Sequence, residues 1–472
     1  MTSMIVDLLF GLILIGAFLF LGVLVMRGAG FAPSSVFGLA MAFPLGAGLL
    51  TWLLFLASWA GLPLTLFSTA LVYLLAVGLL AAIPRWRNFG QPFMAMAPSI
   101  GRASWHALLL VGLALILVTA AFVSIGRAHG RWDAAAGWVV KGYGIFLEGD
   151  VQAGARWGAW GLAYPLNLHI QNGLFSLIGA EGLPASKLLF PFYFASILAT
   201  VYVFWSRQRL AAAAIGVGLL LLATNPMLML HATIGYANLP LAAYLVPGGL
   251  LAILAMRRND RRFSLLSGIY LALAAWTRPE GIAYVLAIIG ALLVMCLLLT
   301  RGLPDWRLLA LQILPVIVLA ASWFVFSWTS VEQSHLGKAM GGVWPSIQAG
   351  EYRLRELYLI PRLLAERAIE PATWGILFPA AALVLLFGLV KKARLWRFPD
   401  SLLLIVLAAA VSLVPVGLFY VRSFTRYTDF IPLLNRSFDR AFLPASILIV
   451  AMAFVVAFAD ESAADSPAGH AA

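Results

Sequence analysis

Charge is scarce in this chain and cysteine almost absent. Only 11% of its 472 residues are Asp, Glu, Lys or Arg, where soluble domains carry roughly a quarter. With a mean hydropathy of +0.97, a water-soluble enzyme is excluded. Cys296 is the single cysteine, so neither an intramolecular disulfide nor a cysteine metal cluster can form. No His, Cys and Asp spacing fits zinc, no glycine-rich loop fits a P-loop, and no serine elbow is present. There is no internal repeat of fixed period and no stretch long enough for a separate soluble domain, so any chemistry must be built from loops and helix ends. The opening MTSMIVD lacks a basic region, and the apolar run from Ile5 to Met26 is too long for a signal-peptide core. It reads as a first membrane helix.

What the chain has in abundance is apolar surface: 63% of its residues are hydrophobic, in runs long enough to cross a hydrocarbon core of about 30 Å. Candidate helices cover 4–26, 35–59, 62–84, 105–126, 186–206, 210–229, 239–256, 264–276, 281–300, 308–329, 373–390, 401–420 and 441–459. The expected fold is all-α, a polytopic transmembrane bundle of about thirteen helices with amphipathic helices in its outer loops. Residues 1–459 form one membrane domain, and the Ala-rich acidic tail 460–472 has a composition that should not order.

The formal charge of +12 comes from basic residues scattered over the loops between apolar runs. That distribution points to the lipid bilayer as a partner and away from nucleic acid. Alternate short loops hold Arg27; Arg85, Arg87 and Arg102; Arg207 and Arg209; Arg257, Arg258, Arg261 and Arg262; Arg301 and Arg307; Lys391, Lys392, Arg394 and Arg397. By the positive-inside rule these face the cytoplasm. The long loops 127–185, 330–372 and 421–440 are then extracytoplasmic, as is the N-terminus.

The stretch GRWDAAAGWVVKGYGIFLEGD, residues 130–150, gathers Arg131, Asp133, Lys141, Glu148 and Asp150 among tryptophans. Residues 132–147 read as an amphipathic helix along the membrane surface, with Asp133 and Lys141 on one face. That face is either merely solvated, with the lysine snorkelling, or it sets a carboxylate general base at the water boundary. Lys141 suits an anionic substrate. The last outer loop carries Arg422, Arg426, Arg436 and Arg440, the last two four residues apart just ahead of a helix. Guanidinium groups there either anchor the surface or bind phosphate. In TRPEG, Pro279 favours a helix start and Glu280 complements its dipole, with Arg278 beside it. GEYRLRELYLIPRLLAERAIEP predicts a second surface-lying amphipathic helix, a lid or a seal.

In their order along the chain, GRWDAAAGWVVKGYGIFLEGD, LAYPLNLHIQNGLF, GYANLPLAAY, TRPEG and SFDRAFLP resemble the motifs of bacterial polytopic GT-C class glycosyltransferases. The resemblance spans roughly 105–460 and leaves 1–104 as extra N-terminal helices. It implies sugar transfer from a polyprenyl-phosphate carrier to a hydroxyl of a lipid or glycan acceptor, outside the bacterial inner membrane. It also implies Asp133 as base, Arg436, Arg440, Lys141 and Arg278 as phosphate ligands, and Glu280, Tyr164, His169 and Asn238 as pocket residues. A lone histidine such as His169 or His231 is more often a core or interface residue than a ligand. Two departures are visible: Gly161, Leu162 and Ala163 stand where the family often has His-Pro-Asp, and Asn238 replaces an aspartate. Fewer carboxylates disfavour a divalent metal, so the expected reaction needs no cofactor. A transporter or flippase of lipid-linked sugars, and an oligosaccharide ligase or polymerase, remain open alternatives at this stage.

Overall fold

The computed structural model describes residues 2–33, 35–82, 94–95, 104–127, 129, 131–158, 162–300, 305–330, 343, 345–350, 352–391, 399–424 and 430–459. Arg85, Arg87, Arg102, Gly161, Arg301, Lys392, Arg394, Arg397, Arg426 and the tail 460–472 lie outside the described residues. The main helices are α1 (Thr2–Gly28), α2 (Val36–Trp59), α3 (Leu66–Ala82), α4 (Ser104–Gly126), α5 (Val140–Glu148), α6 (Asn167–Leu174) and α7 (Leu189–Arg207). Next come α8 (Ala212–Ala223), α9 (Pro226–Ile234), α10 (Asn238–Arg258), α11 (Arg261–Thr277), α12 (Pro279–Thr300) and α13 (Trp306–Ser330). The chain closes with α14 (Leu354–Ala368), α15 (Pro371–Trp374), α16 (Leu377–Lys391), α17 (Pro399–Ser423), α18 (Phe430–Ala441) and α19 (Leu443–Phe458). Two dipeptides, Phe31–Ala32 and Met94–Ala95, pair in parallel.

The described part of each apolar run expected to be a helix is largely helical. Among the described residues, eight helices have the length and composition to cross a membrane, or ten if two bent pairs count as one span each. The bent pairs are α8 with α9, at 56°, and α18 with α19, at 45°. Among the described residues, helices α3, α11 and α16 cover 17, 17 and 15 residues, where a straight crossing takes roughly 20.

Burial sorts the helices into layers. Helices α7 and α10 are enclosed almost all round, whereas α4 and α13 turn most of their apolar surface outward, as lipid-facing helices do. Close backbone approach replaces a hydrophobic drive where helices meet inside lipid. A Cβ at Gly22 would lie 1.8 Å from the Ala42 carbonyl oxygen, and one at Gly46 would lie 1.8 Å from that of Phe18. Only glycine lets α1 and α2 cross there.

One element departs from the idea of a long outer loop. All eight residues of α6 are buried, so it sits inside the bundle. Asn167 and Gln171 are satisfied there by a hydrogen-bond network, whereas Asn172 Oδ1 has no partner among the described residues. The Asn167 Oδ1 accepts from Thr51 Oγ1 at 2.6 Å and from Gln171 Nε2 at 2.7 Å, while Asn167 Nδ2 donates to Thr277 Oγ1 at 2.8 Å. Tyr193 OH donates to Gln171 Oε1 at 2.7 Å and lies 3.0 Å from Tyr244 OH. The network pins α6 to α2, α7, α10 and α11, and thereby fixes Thr277, the residue that precedes Arg278.

The two ends of α10, a helix of 21 residues and so about 30 Å long, carry different chemistry. At its C-terminal end Arg258 lies over the Phe263 ring, together with Arg207. At its N-terminal end stand the residues described next.

Candidate functional site

Asp133 opens a seven-residue π-helical turn, Asp133–Val139, that runs directly into α5. π-turns within helices occur often at functional sites. This wider winding corrects the expected surface helix. Residues four apart no longer stack, and Ala134, Gly137, Trp138, Val139, Lys141, Gly142, Gly144 and Ile145 all pack inward. The packing on α6 is backbone to backbone: a Cβ on Gly142 would meet the His169 carbonyl oxygen at 2.2 Å, and one on Gly173 would meet that of Gly142 at 2.4 Å. The segment is therefore wedged into the protein, not laid on it. Asp133 keeps its side chain 23% exposed.

Arg440 reaches Asp133 from the last turn of α18, a position 307 residues later. Its Nη1 donates to Asp133 Oδ2, its Nη2 donates to Ser437 Oγ at 2.9 Å, and its guanidinium lies 5.2 Å from the Tyr236 ring centroid. The Arg440 carbonyl accepts from Asn238 Nδ2 at 3.0 Å, and Asn238 Oδ1 accepts from Arg278 Nη1 at 3.0 Å. This explains the amide at position 238. The site asks that side chain for one donor and one acceptor, and an ionised aspartate can only accept.

Arg278 projects from the turn between α11 and α12, where Pro279 begins the helix and Glu280 lies in its first turn, as expected. Both Arg278 Nε and Nη2 donate to Glu280 at 3.2 Å, and Arg422, in the last turn of α17, donates to the same carboxylate at 3.1 Å. Tyr164 lies under Arg278, 5.7 Å from guanidinium to ring centroid, and meets Trp138 edge-on at 5.4 Å. Burial, with Glu280 next in effect, holds the Tyr164 hydroxyl above its usual range; burial and then Asp133 do the same for Tyr236. Both phenols remain protonated donors at neutral pH. Arg131 is close enough to influence Tyr236 and His231. Two acids thus face four arginines, Arg131, Arg278, Arg422 and Arg440, and the site has positive charge in excess.

No family model, curated protein or solved structure matches this chain.

The residues that the sequence singled out therefore have to be judged by where they lie. Asp133, Arg440, Asn238, Arg278, Glu280 and Tyr164 come together. Arg436, one turn before Arg440, is exposed. His169 is fully buried against Trp138, at 4.8 Å between ring centroids. Burial, with Lys141 next, lowers its pKa well below the usual histidine range, so it stays neutral. His231 is buried beside Tyr236. Arg422 is one of the four arginines that the sequence marks in the last outer loop. Tyr236 is the residue that sequence reasoning misses, because nothing in an aromatic after a glycine marks it as an arginine platform. Among the described residues no group of three His, Cys, Asp or Glu side chains could hold a metal ion.

Lys141 is fully buried, not snorkelling. Burial brings its ammonium group down from 10.5 to about 8. Below that value the native state carries a charge it poorly solvates; as pH rises further the unfolded chain holds more protons than the native one, and stability climbs. Lys141→Met should be the more stable protein at pH 7, by up to about 3 kcal/mol. The gap should close as pH approaches 10. Thermal melts across that range check this, and a pH-independent gap would count against it.

Proposed function

We propose that the protein is a membrane glycosyltransferase of GT-C type, moving a sugar from a polyprenyl-phosphate donor to an acceptor hydroxyl. The observation that carries this reading is the contact of Asp133 with Arg440 inside an arginine-rich cluster at one end of the membrane helices. In the proposed reaction Asp133 takes the proton of the acceptor hydroxyl, and the acceptor oxygen forms a bond to the anomeric carbon. The bond from that carbon to the phosphate oxygen breaks, and the electron pair leaves with the polyprenyl phosphate. A single displacement inverts the anomeric centre. Arg440, Arg278 and Arg422 would receive the phosphate, in a fork geometry suited to it, and Lys141 would add positive potential from behind. No residue of the chain is assigned to a metal.

In the resting site Arg440 occupies Oδ2 of Asp133, so an acceptor hydroxyl cannot reach that oxygen until the guanidinium is drawn away. An anionic donor would compete for the guanidinium and release it. The donor should then bind before the acceptor.

In finer detail, we read all thirteen apolar helical segments as crossings, counting the short and bent ones, in a bacterial inner membrane with this site outside. A flippase of lipid-linked sugars would also use many helices and outer loops. Transporters, however, place polar or broken elements near the bilayer midplane, whereas the ion pairs here lie at the ends of α12, α17 and α18.

The test is transfer of labelled sugar from polyprenyl-phosphate donors by purified protein in proteoliposomes. Release of polyprenyl phosphate with an inverted product supports the proposal; donor translocation without bond cleavage would replace it with the flippase. Orientation has its own check, because Gln152 is exposed beside the site's loop. Gln152→Cys should react with an impermeant thiol reagent in intact cells, and protection would reverse the assignment.

A further inference from the structure

Asn238 is hydrogen-bonded to both halves of the arginine cluster. It is the first residue of α10, a helix enclosed almost all round, and it is itself only 4% exposed. Its Nδ2 donates to the Arg440 carbonyl at 3.0 Å, and its Oδ1 accepts from Arg278 Nη1 at 3.0 Å. The two arginines belong to separate elements, Arg278 to the turn between α11 and α12 and Arg440 to the last turn of α18. One planar amide sets the direction of both bonds, so a shift of either partner is felt by the other.

The bond to Arg278 completes the orientation of a group that still has donors to offer. A guanidinium carries five N–H groups. Glu280 takes one edge of Arg278, through Nε and Nη2, and Asn238 takes Nη1. Two N–H groups of Arg278 are left for a further acceptor. The partner at Nη1 is also neutral, which matters in this place. Asp133 and Glu280 already stand among Arg131, Arg278, Arg422 and Arg440, and an amide orients Arg278 without cancelling its charge. A carboxylate at position 238 would hold Arg278 more tightly, but it would compete with an incoming phosphate for the same cation.

We infer that Asn238 is a positioning residue for the donor phosphate, holding Arg278 and the end of α18 that carries Arg440 in one register while leaving the positive charge of both for the anion. The inference rests on the sugar-transfer reading and names the side chain that keeps its two phosphate-receiving arginines together. Asn238 acts through the arginines and need not touch the donor.

The test compares Asn238→Asp with Asn238→Ala in the purified full chain in neutral detergent. The probe is polyprenyl phosphate, the leaving group shared by all donors of this class, with polyprenol as the uncharged control. Native mass spectrometry reads affinity and thermal melting reads stability. Asn238→Asp keeps the acceptor for Arg278 but turns the bond into an ion pair. It should weaken polyprenyl phosphate binding about 10- to 100-fold while melting no lower than Asn238→Ala. Asn238→Ala loses both hydrogen bonds and keeps the excess of positive charge, so its affinity should fall less, by about 3- to 10-fold. A side chain needed only for folding would give one order in both measurements, with aspartate, the closer mimic, ahead in each. Polyprenyl phosphate bound as tightly by Asn238→Asp as by Asn238→Ala, or by either variant as by the wild type, would overturn the role of Asn238 and leave the sugar-transfer reading standing. Polyprenol held by the wild type as tightly as polyprenyl phosphate would remove both.

Discussion

Asp133→Asn should lower the rate of sugar transfer by about 10²- to 10⁴-fold, the usual worth of a general base, with little change in expression or melting temperature. The amide keeps the shape of the carboxylate, and its oxygen can still accept from Arg440. What it loses is the ability to take a proton. The Asp133 and Arg440 side chains are 23% and 25% exposed, so the lost charge pairing should cost only about 1 kcal/mol of stability. Single-turnover measurement of labelled product separates this from a binding defect: the chemical step slows while donor affinity holds or improves, because Arg440 is freed for phosphate. Arg440→Gln should do the reverse, weakening donor binding with a smaller effect on the step itself. Turnover retained in Asp133→Asn would remove Asp133 from the mechanism, whatever else the cluster does.

Glu280→Gln should be the most destabilising single change at the site, costing about 3 kcal/mol or more. Glu280 is 15% exposed and is the one carboxylate shared by Arg278 and Arg422. Neutralising it leaves the Arg278 and Arg422 guanidinium groups sharing a neutral amide, with the Arg278 side chain only 13% exposed. A fall of several degrees in the melting temperature in detergent is expected, with partial recovery in Glu280→Gln/Arg422→Gln, which removes one of the stranded charges. Added polyprenyl phosphate should also restore part of the loss if the arginines receive phosphate. An unchanged melting temperature would show that Glu280 is not the keystone of this cluster.

The charged members of the site were legible because charge is so rare here. In a chain this apolar an Asp133, an Arg278 or an Arg440 at a helix end stands out, and all three lie in the same cluster. Spacing served less well. Asp133 and Lys141 were placed on one face by α-helical geometry, and the π-turn between them sends Lys141 into the interior, because winding of that kind leaves no mark in an alternation of apolar and polar residues. The burial of α6 was equally hidden. NLHIQNGL has too many amides for a membrane interior, and only the partners Thr51, Tyr193 and Thr277, scattered through three distant helices, make that position tolerable. Length is a separate matter: among the described residues α3 and α16 are as apolar as the spanning helices but cover only 17 and 15 residues, so hydropathy alone does not count crossings.

The bond between Asp133 and Arg440 also has a bearing on how the protein is made. Its halves lie 307 residues apart in the chain, so the pair cannot close until α18 has been made and has entered the bilayer. Until then Asp133 is without the Arg440 guanidinium, and the proposed phosphate site lacks one of its arginines.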